Sequence, residues 1–332
     1  MKRIICITAI FVAACISCLA QQITASTTEN AFDLVVAKDG SGDFTTVQEA
    51  VNASPDYLHD GRFSILVKEG EYYEQITIPQ NKRQLTIKGE GADKTILYFD
   101  KAATKQWKYS EYTMGTSGSA SVYVHAADVV FEDLTVRNSA GTGAEVGQAV
   151  ALFTNGNRFI ARRCRIIGHQ DTLYTFGKYD EDGQYMKATF EDCYIEGGTD
   201  FIFGSSTVWF ENCEIHSLIN SYITAASTLQ GQKYGYVFHN CRLTAETGVD
   251  KVYLGRPWRP YAKTLFIECE LGGHIRPEGW HNWDKESNEK TARYGEYGNT
   301  GPGAGTEGRV RWAKQLTKKE RAACTYENVI LN

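Results

Sequence analysis

The sequence predicts an all-β fold, a parallel β-helix wound from short strands and closed at its N-terminal end by a short capping helix. A motif of Phe-x-x-Cys, then one residue and an apolar one, begins at Phe190, Phe210, Phe238 and Phe266. Phe131-Glu132-Asp133-Leu134 keeps the pattern with Leu in place of Cys, and Ala161-Arg162-Arg163-Cys164 keeps it with Ala in place of Phe. The markers at 134, 164, 193, 213, 241 and 269 are 30, 29, 20, 28 and 28 residues apart, which is the period of a solenoid. Within each run, polar residues separate Phe from Cys and β-branched or aromatic residues flank them, as in a strand leading into a turn. No amphipathic helix separates the markers, which argues against leucine-rich or α/β repeats.

The elements follow in chain order. Residues 1–20 read as a secretory leader: Lys2 and Arg3, an apolar run from Ile4 to about Cys15, then Cys18-Leu19-Ala20 before Gln21. Residues 21–332 are then a single domain, secreted or periplasmic; Val12-Ala13-Ala14-Cys15 gives the alternative of a lipoprotein attached through Cys15. Thr45 to Val51 has capping-box spacing with apolar residues at i, i+3 and i+4, predicting the N-terminal helix. Residues 272–312, with many Gly, Trp and Tyr, predict long loops and irregular strands along the outside. Lys314 to Ala323 is helix-permissive.

The 332 residues carry 35 Lys+Arg and 40 Asp+Glu, a net charge of −5. Without Lys2 and Arg3 the balance is 33 against 40, or −7, with no basic cluster, so nucleic acid is not an expected partner. Of nine cysteines, three fall in the leader; five of the remaining six lie in the repeat, and Cys324 stands apart. An oxidising compartment permits disulfides. Stacked free thiols are the alternative, and Cys193 and Cys213, on adjacent coils, are the pair best placed to bond. The seven histidines show no His-x-x-x-His spacing, so no metal or other cofactor is expected. The absence of Gly-x-Ser-x-Gly argues against a serine esterase.

Two equal gaps concentrate the chemistry. Cys164 precedes Asp171 by seven residues, and Cys193 precedes Asp200 by seven, so both aspartates occupy the same phase of consecutive repeats. Stacked coils would set the two carboxylates about 4.8 Å apart. Such a pair cannot ionise twice cheaply, so one pKa rises and one residue type supplies both an acid and a nucleophile. The segments around them are Gly147-Gln148-Ala149, Gly168-His169-Gln170-Asp171-Thr172-Leu173-Tyr174, Gly198-Thr199-Asp200-Phe201-Ile202-Phe203-Gly204 and Leu254-Gly255-Arg256-Pro257-Trp258.

With Asp39-Gly40-Ser41-Gly42-Asp43-Phe44, Gly279-Trp280, Tyr294-Gly295-Glu296-Tyr297 and Gly301-Pro302-Gly303-Ala304, these segments in this order resemble the pectin methylesterase (pectinesterase) family over nearly the whole chain after the leader. The resemblance implies a right-handed β-helix and, with the inhibitor-like pro-domain of many plant members not expected, the bacterial form. It implies Asp200 as nucleophile, Asp171 as general acid and then base, and Gln148 and Gln170 as the oxyanion hole. Arg256 would hold Asp200 and substrate, and Trp258 would line the sugar subsite with Tyr174 and Phe203. Thr116 matches a substrate-contacting threonine, in a loop longer and richer in Gly and Ser than is usual. Cys193 and Cys213 match a family disulfide position.

The function so implied is hydrolysis of galacturonate methyl esters in homogalacturonan by a monomer with no obligatory protein partner. Losing one oxyanion donor typically costs about 2.7–4 kcal/mol. Each residue also has a purely structural use: a turn aspartate, an internal glutamine ladder, an ion-pair arginine, a packing tryptophan. A pectin lyase or polygalacturonase would leave the paired glutamines unexplained. A β-helix esterase or thioesterase acting on another substrate, or a non-catalytic pectin-binding solenoid, are the remaining alternatives.

Overall fold

The computed structural model describes residues 31–332; the leader and the lipoprotein site expected within residues 1–20 lie outside them. Among the described residues the chain winds into a right-handed parallel β-helix of three sheets with 11, 8 and 7 strands. Each complete coil gives one strand to each sheet in turn. Lys187–Glu191 joins the first sheet, Tyr194–Gly197 the second and Ile202–Gly204 the third, before Thr207–Glu211 returns to the first.

The Phe-x-x-Cys motif builds the corner between the first and second sheets. Its third position has a left-handed backbone in every coil: Asp133, Arg163, Asp192, Asn212, Asn240 and Glu268 have φ of 54°, 50°, 53°, 53°, 53° and 56°. Asp and Asn tolerate this conformation, whereas Arg and Glu rarely adopt it. The two exceptions are tied down. Arg163 forks onto Asp133 at 2.7 and 3.0 Å, and Glu268 accepts from Arg321 at 3.0 and 2.7 Å.

The first residue of the motif fills the interior. Phe131, Ala161, Phe190, Phe210, Phe238 and Phe266 are in register across successive coils. Phe210, Phe238 and Phe266 stack at 4.3 and 4.4 Å with nearly parallel planes. Where Ala161 leaves room, Phe159 enters and contacts both Phe131 (5.3 Å) and Phe190 (5.8 Å).

Cys164, Cys193, Cys213, Cys241 and Cys269 form a second buried column, and all are free thiols. The bridge between Cys193 and Cys213 implied by resemblance is therefore absent from the structure. In-register neighbours on parallel strands have parallel Cα–Cβ bonds, so their Cβ atoms keep the strand spacing of about 4.8 Å. A disulfide wants Cβ atoms about 3.5–4.5 Å apart. The Cys193 thiol instead lies 3.3 Å from the Glu191 carbonyl and 3.5 Å from that of Ala161.

The helix Val47–Ala53 caps the N-terminal end. The Glu49 N–H donates to the Thr46 hydroxyl, Glu74 accepts from the first two helical amides at 2.8 and 2.9 Å, and Val47, Ala50 and Val51 are buried. Near the C-terminus the helix is confined to Lys318–Ala323, because Thr317 and Glu320 form the capping box there; Lys314–Gln315 is a strand. Residues 272–312 are more ordered than their composition predicts. Arg293–Tyr297 extends the first sheet, and Glu286–Thr291 is helical. Glu296 and Arg309, both buried, pair at 2.8 Å and anchor this strap, with Trp280 donating to the same carboxylate.

Candidate active site

The outward face of the third sheet carries a row of aromatic residues. Tyr123, Phe153, Tyr174 and Phe203 are in register on four consecutive strands, followed by Ala225. Tyr174 and Phe203 stack at 4.1 Å, and Trp258 packs edge-on against both, at 6.3 and 5.8 Å. Period-2 alternation produces this floor: Leu173 and Ile202 point into the core while their neighbours Tyr174 and Phe203 point out.

The two aspartates sit where each coil turns from the second sheet into the third. The Asp171 amide donates to Thr199 O (3.0 Å) and the Leu173 amide to Phe201 O (2.8 Å), so Asp171 pairs with Asp200 one rung away. Both residues are left-handed, with φ of 64° and 50°, and both are buried.

The glutamines come into step through a bulge. Ala151 and Leu152 both donate to Thr172 O, at 2.8 and 3.2 Å, while Ala149 donates to Gln170 O at 3.1 Å. The extra residue shifts the chain before it by one position, bringing Gln148 opposite Gln170 instead of His169. Gly147, with φ of 75°, makes the turn just ahead of Gln148.

Arg256, at the end of strand Tyr253–Gly255, donates from Nε to Asp200 Oδ1 at 2.9 Å and from Nη2 to Asp200 Oδ2 at 2.7 Å. This planar fork matches a carboxylate as an ammonium does not. Asp171 has no such partner among the hydrogen bonds of the described residues. Burial raises the Asp171 pKa well above 3.8, the Asp200 charge raises it further, and Arg256 opposes the rise. Burial also raises Asp200, but the Arg256 hydrogen bonds and charge oppose it directly. The environment therefore favours the proton on Asp171 and the negative charge on Asp200.

A cleft of ≈ 460 Å³ unites these groups. Asp171, Asp200, Gln148, Gln170, Arg256, Trp258, Tyr174, Phe203 and Thr116 all line it, so every residue singled out for catalysis or substrate contact lies in one site. Thr116 reaches it from the turn Thr116–Gly118, against which Trp107 packs. Sequence reasoning missed Ser117 and Trp283, which also line the cleft, and Tyr222, which packs on Arg256. Ser117 adjoins Thr116 and was within reach of inspection. Trp283 comes from the strap, where no repeat phase gives a position.

A stacked carboxylate pair, two amide side chains and a forked arginine over an aromatic floor define an esterase site on a β-helix. Residues 33–331 match the Pectinesterase family model, and the chain belongs to that family. It is 38% identical over 290 residues to Pectinesterase 31 of Arabidopsis thaliana, covering 86% of this chain and 88% of that one. It is 41% identical over 292 residues to putative pectinesterase/pectinesterase inhibitor 38 of the same plant, covering 85% of this chain but 58% of that relative. It likewise spans about half (47%) of Pectinesterase 5 of Arabidopsis thaliana. Among solved structures, pectin methylesterase from carrot superposes with a TM-score of 0.81 at 34% identity, over 90% of this chain and 93% of that one. Pectin methylesterase from Erwinia chrysanthemi gives 0.76 at 29% identity, over 90% and 97%.

Proposed function

We propose that this protein hydrolyses the methyl esters of galacturonate units in pectin, releasing methanol and leaving carboxylate groups on the polymer. The observation that carries this reading is the asymmetry of the aspartate pair: Asp200 is forked to Arg256, and Asp171, one rung away, has no such partner, its pKa pushed up by burial and by its neighbour's charge. Family membership and a superposed pectin methylesterase in complex with a hexasaccharide (TM-score 0.77, 29% identity, over 90% of this chain and 97% of that one) support the substrate class.

The ionised Asp200 attacks the ester carbonyl carbon, and the carbonyl oxygen becomes an oxyanion that accepts from the Gln148 and Gln170 side-chain amides. As the C–O bond to the methoxy group breaks, Asp171 gives its proton to that oxygen and methanol leaves. Asp171, now ionised, takes a proton from water; the hydroxide adds to the acyl-enzyme and Asp200 departs as a carboxylate. Trp258, Tyr174 and Phe203 offer apolar faces to the sugar ring, and Thr116 stands at the cleft wall.

The same reading takes the protein as a bacterial-type enzyme, which rests on the Erwinia chrysanthemi and Yersinia enterocolitica structures, covered to 97% and 99% of their lengths at 29% and 30% identity; the plant Pectinesterase 31 and the carrot enzyme match at 38% and 34%. It also takes residues 21–332 as one monomeric domain, secreted or periplasmic by way of the leader at 1–20, with lipid attachment through Cys15 as the alternative. Methanol release from highly esterified pectin by wild type and by Asp200→Asn tests the activity. Wild type should release methanol without new reducing or unsaturated ends, and the variant should fold but release essentially none; ordinary turnover by the variant would remove Asp200 from the mechanism.

A further inference from the structure

The Arg256 guanidinium lies between two aromatic faces: its Cζ is 3.8 Å from the centroid of the Tyr222 ring and 3.8 Å from that of Trp283. We propose that Tyr222 and Trp283 form a clamp that fixes the plane of Arg256, so that its hydrogen-bonding edge can meet only Asp200. They act through Arg256 and are positioning residues. A guanidinium stacked on both faces keeps its in-plane N–H groups free, so the clamp costs the fork nothing while removing rotation about the stem.

Three features support a positioning role over simple packing. Tyr222 holds both partners of the ion pair, since its carbonyl accepts from the Asp200 amide at 2.8 Å while its ring covers Arg256. Its other neighbours fix it in turn: Tyr253 stacks at 5.2 Å with planes 10° apart, and His281 packs at 5.5 Å.

Trp283 reaches Arg256 through a strained turn. Trp283 and Asp284 are consecutive left-handed residues, with φ of 61° and 55°, a conformation that a bulky side chain adopts at a cost. The turn is kept by the Trp283 amide donating to His281 Nδ1 (3.1 Å) and the Asp284 amide donating to Asn282 Oδ1 (2.9 Å). Trp283 is only partly buried and lines the cleft, so it is not a core plug.

The strap that carries Trp283 is also bonded to the strand that carries Arg256. Leu254 donates to Gly279 O at 2.7 Å and His281 donates to Gly255 O at 3.1 Å. The indole and the guanidinium thus share one rigid frame.

The clamp rests on the methylesterase reading, and its test separates the two. Methanol release is measured against pH for wild type, Trp283→Leu, which keeps a smaller apolar side chain without a π face, and Trp283→Phe, which keeps a face. The charged and titratable groups around the clamp are Asp200, Asp171, Tyr253 stacked on Tyr222, His281 against Tyr222 with Asp284 3.7 Å from it, Arg276 over Tyr253, and the buried Tyr294, which the Asp200 charge reaches. A loosened Arg256 stabilises the Asp200 anion less, so in Trp283→Leu the acid limb of kcat/KM moves to higher pH and kcat falls roughly tenfold, in keeping with the strength of a desolvated cation–π contact. Trp283→Phe recovers most of both. An active wild type with an unmoved acid limb in Trp283→Leu, or a rise in KM alone, overturns the clamp. Should Trp283→Leu fail to fold, Tyr222→Leu against Tyr222→Phe makes the same comparison from the other face. A wild type that releases no methanol overturns the esterase reading instead.

Discussion

Asp171 and Asp200 lie one rung apart in the same left-handed backbone conformation, yet only Asp200 is gripped by Arg256. Equivalent positions in a repeat would otherwise give equivalent residues. The difference in role enters from outside the pair, through an arginine two coils further along the third sheet. Backbone geometry supplies the proximity, and the guanidinium supplies the direction of charge.

The pH dependence of kcat/KM should follow from that split. In the proposed mechanism activity needs Asp200 ionised, and its pKa is raised above 3.8 mainly by burial, so the acid limb should lie above the ordinary aspartate range, with activity falling as pH drops through it. Activity also needs Asp171 protonated, so it falls again as pH rises through the still higher Asp171 value. Arg256→Lys replaces the fork with a single flexible charge. Methanol-release profiles for that variant should show the acid limb displaced upward and kcat reduced; an unchanged acid limb would show that Arg256 does not govern Asp200.

The protonated aspartate should also limit stability. Below 3.8, Asp171 carries its proton in both the folded and the unfolded chain and contributes no pH dependence. Above 3.8 the unfolded chain releases the proton while the folded chain retains it, so stability falls with rising pH until the folded pKa is passed. Asp171→Asn cannot ionise and escapes this loss. Thermal melts should place its Tm above wild type near neutral pH, with the gap closing under acid conditions; a Tm below wild type at neutral pH would contradict the burial argument.

The cysteine column gives a separate check on the interior. With Cys164, Cys193, Cys213, Cys241, Cys269 and Cys324 all free and buried, a reducing agent should leave Tm unchanged. Alkylation in denaturant without reductant, read by mass spectrometry, should modify all six. Protection of Cys193 and Cys213 would restore the bridge.

Much of this was legible because a solenoid converts sequence phase into position. The Phe-x-x-Cys spacing gave the interior columns, and two equal gaps from Cys to Asp gave the carboxylate pair. Phase alone did not place Gln148 opposite Gln170, because the bulge at Ala151 breaks the register that a residue count assumes. The resemblance misled at Cys193 and Cys213, where parallel Cα–Cβ bonds keep the sulfurs in a stack. Trp283 was hidden for another reason. It lies on the strap after the last complete coil, where position is set by the buried Glu296–Arg309 pair and by turn hydrogen bonds, not by a repeat.

Between Asp171 and Asp200 the chain makes a full circuit that includes an outward excursion at residues 176–186, closed by a bridge between Tyr179 and Tyr185. Because main-chain ladders on either side of that excursion hold consecutive turns at a constant pitch, lengthening or shortening it leaves the gap between Asp171 and Asp200 as it was. The excursion is therefore free to diversify without altering the spacing of the two carboxylates.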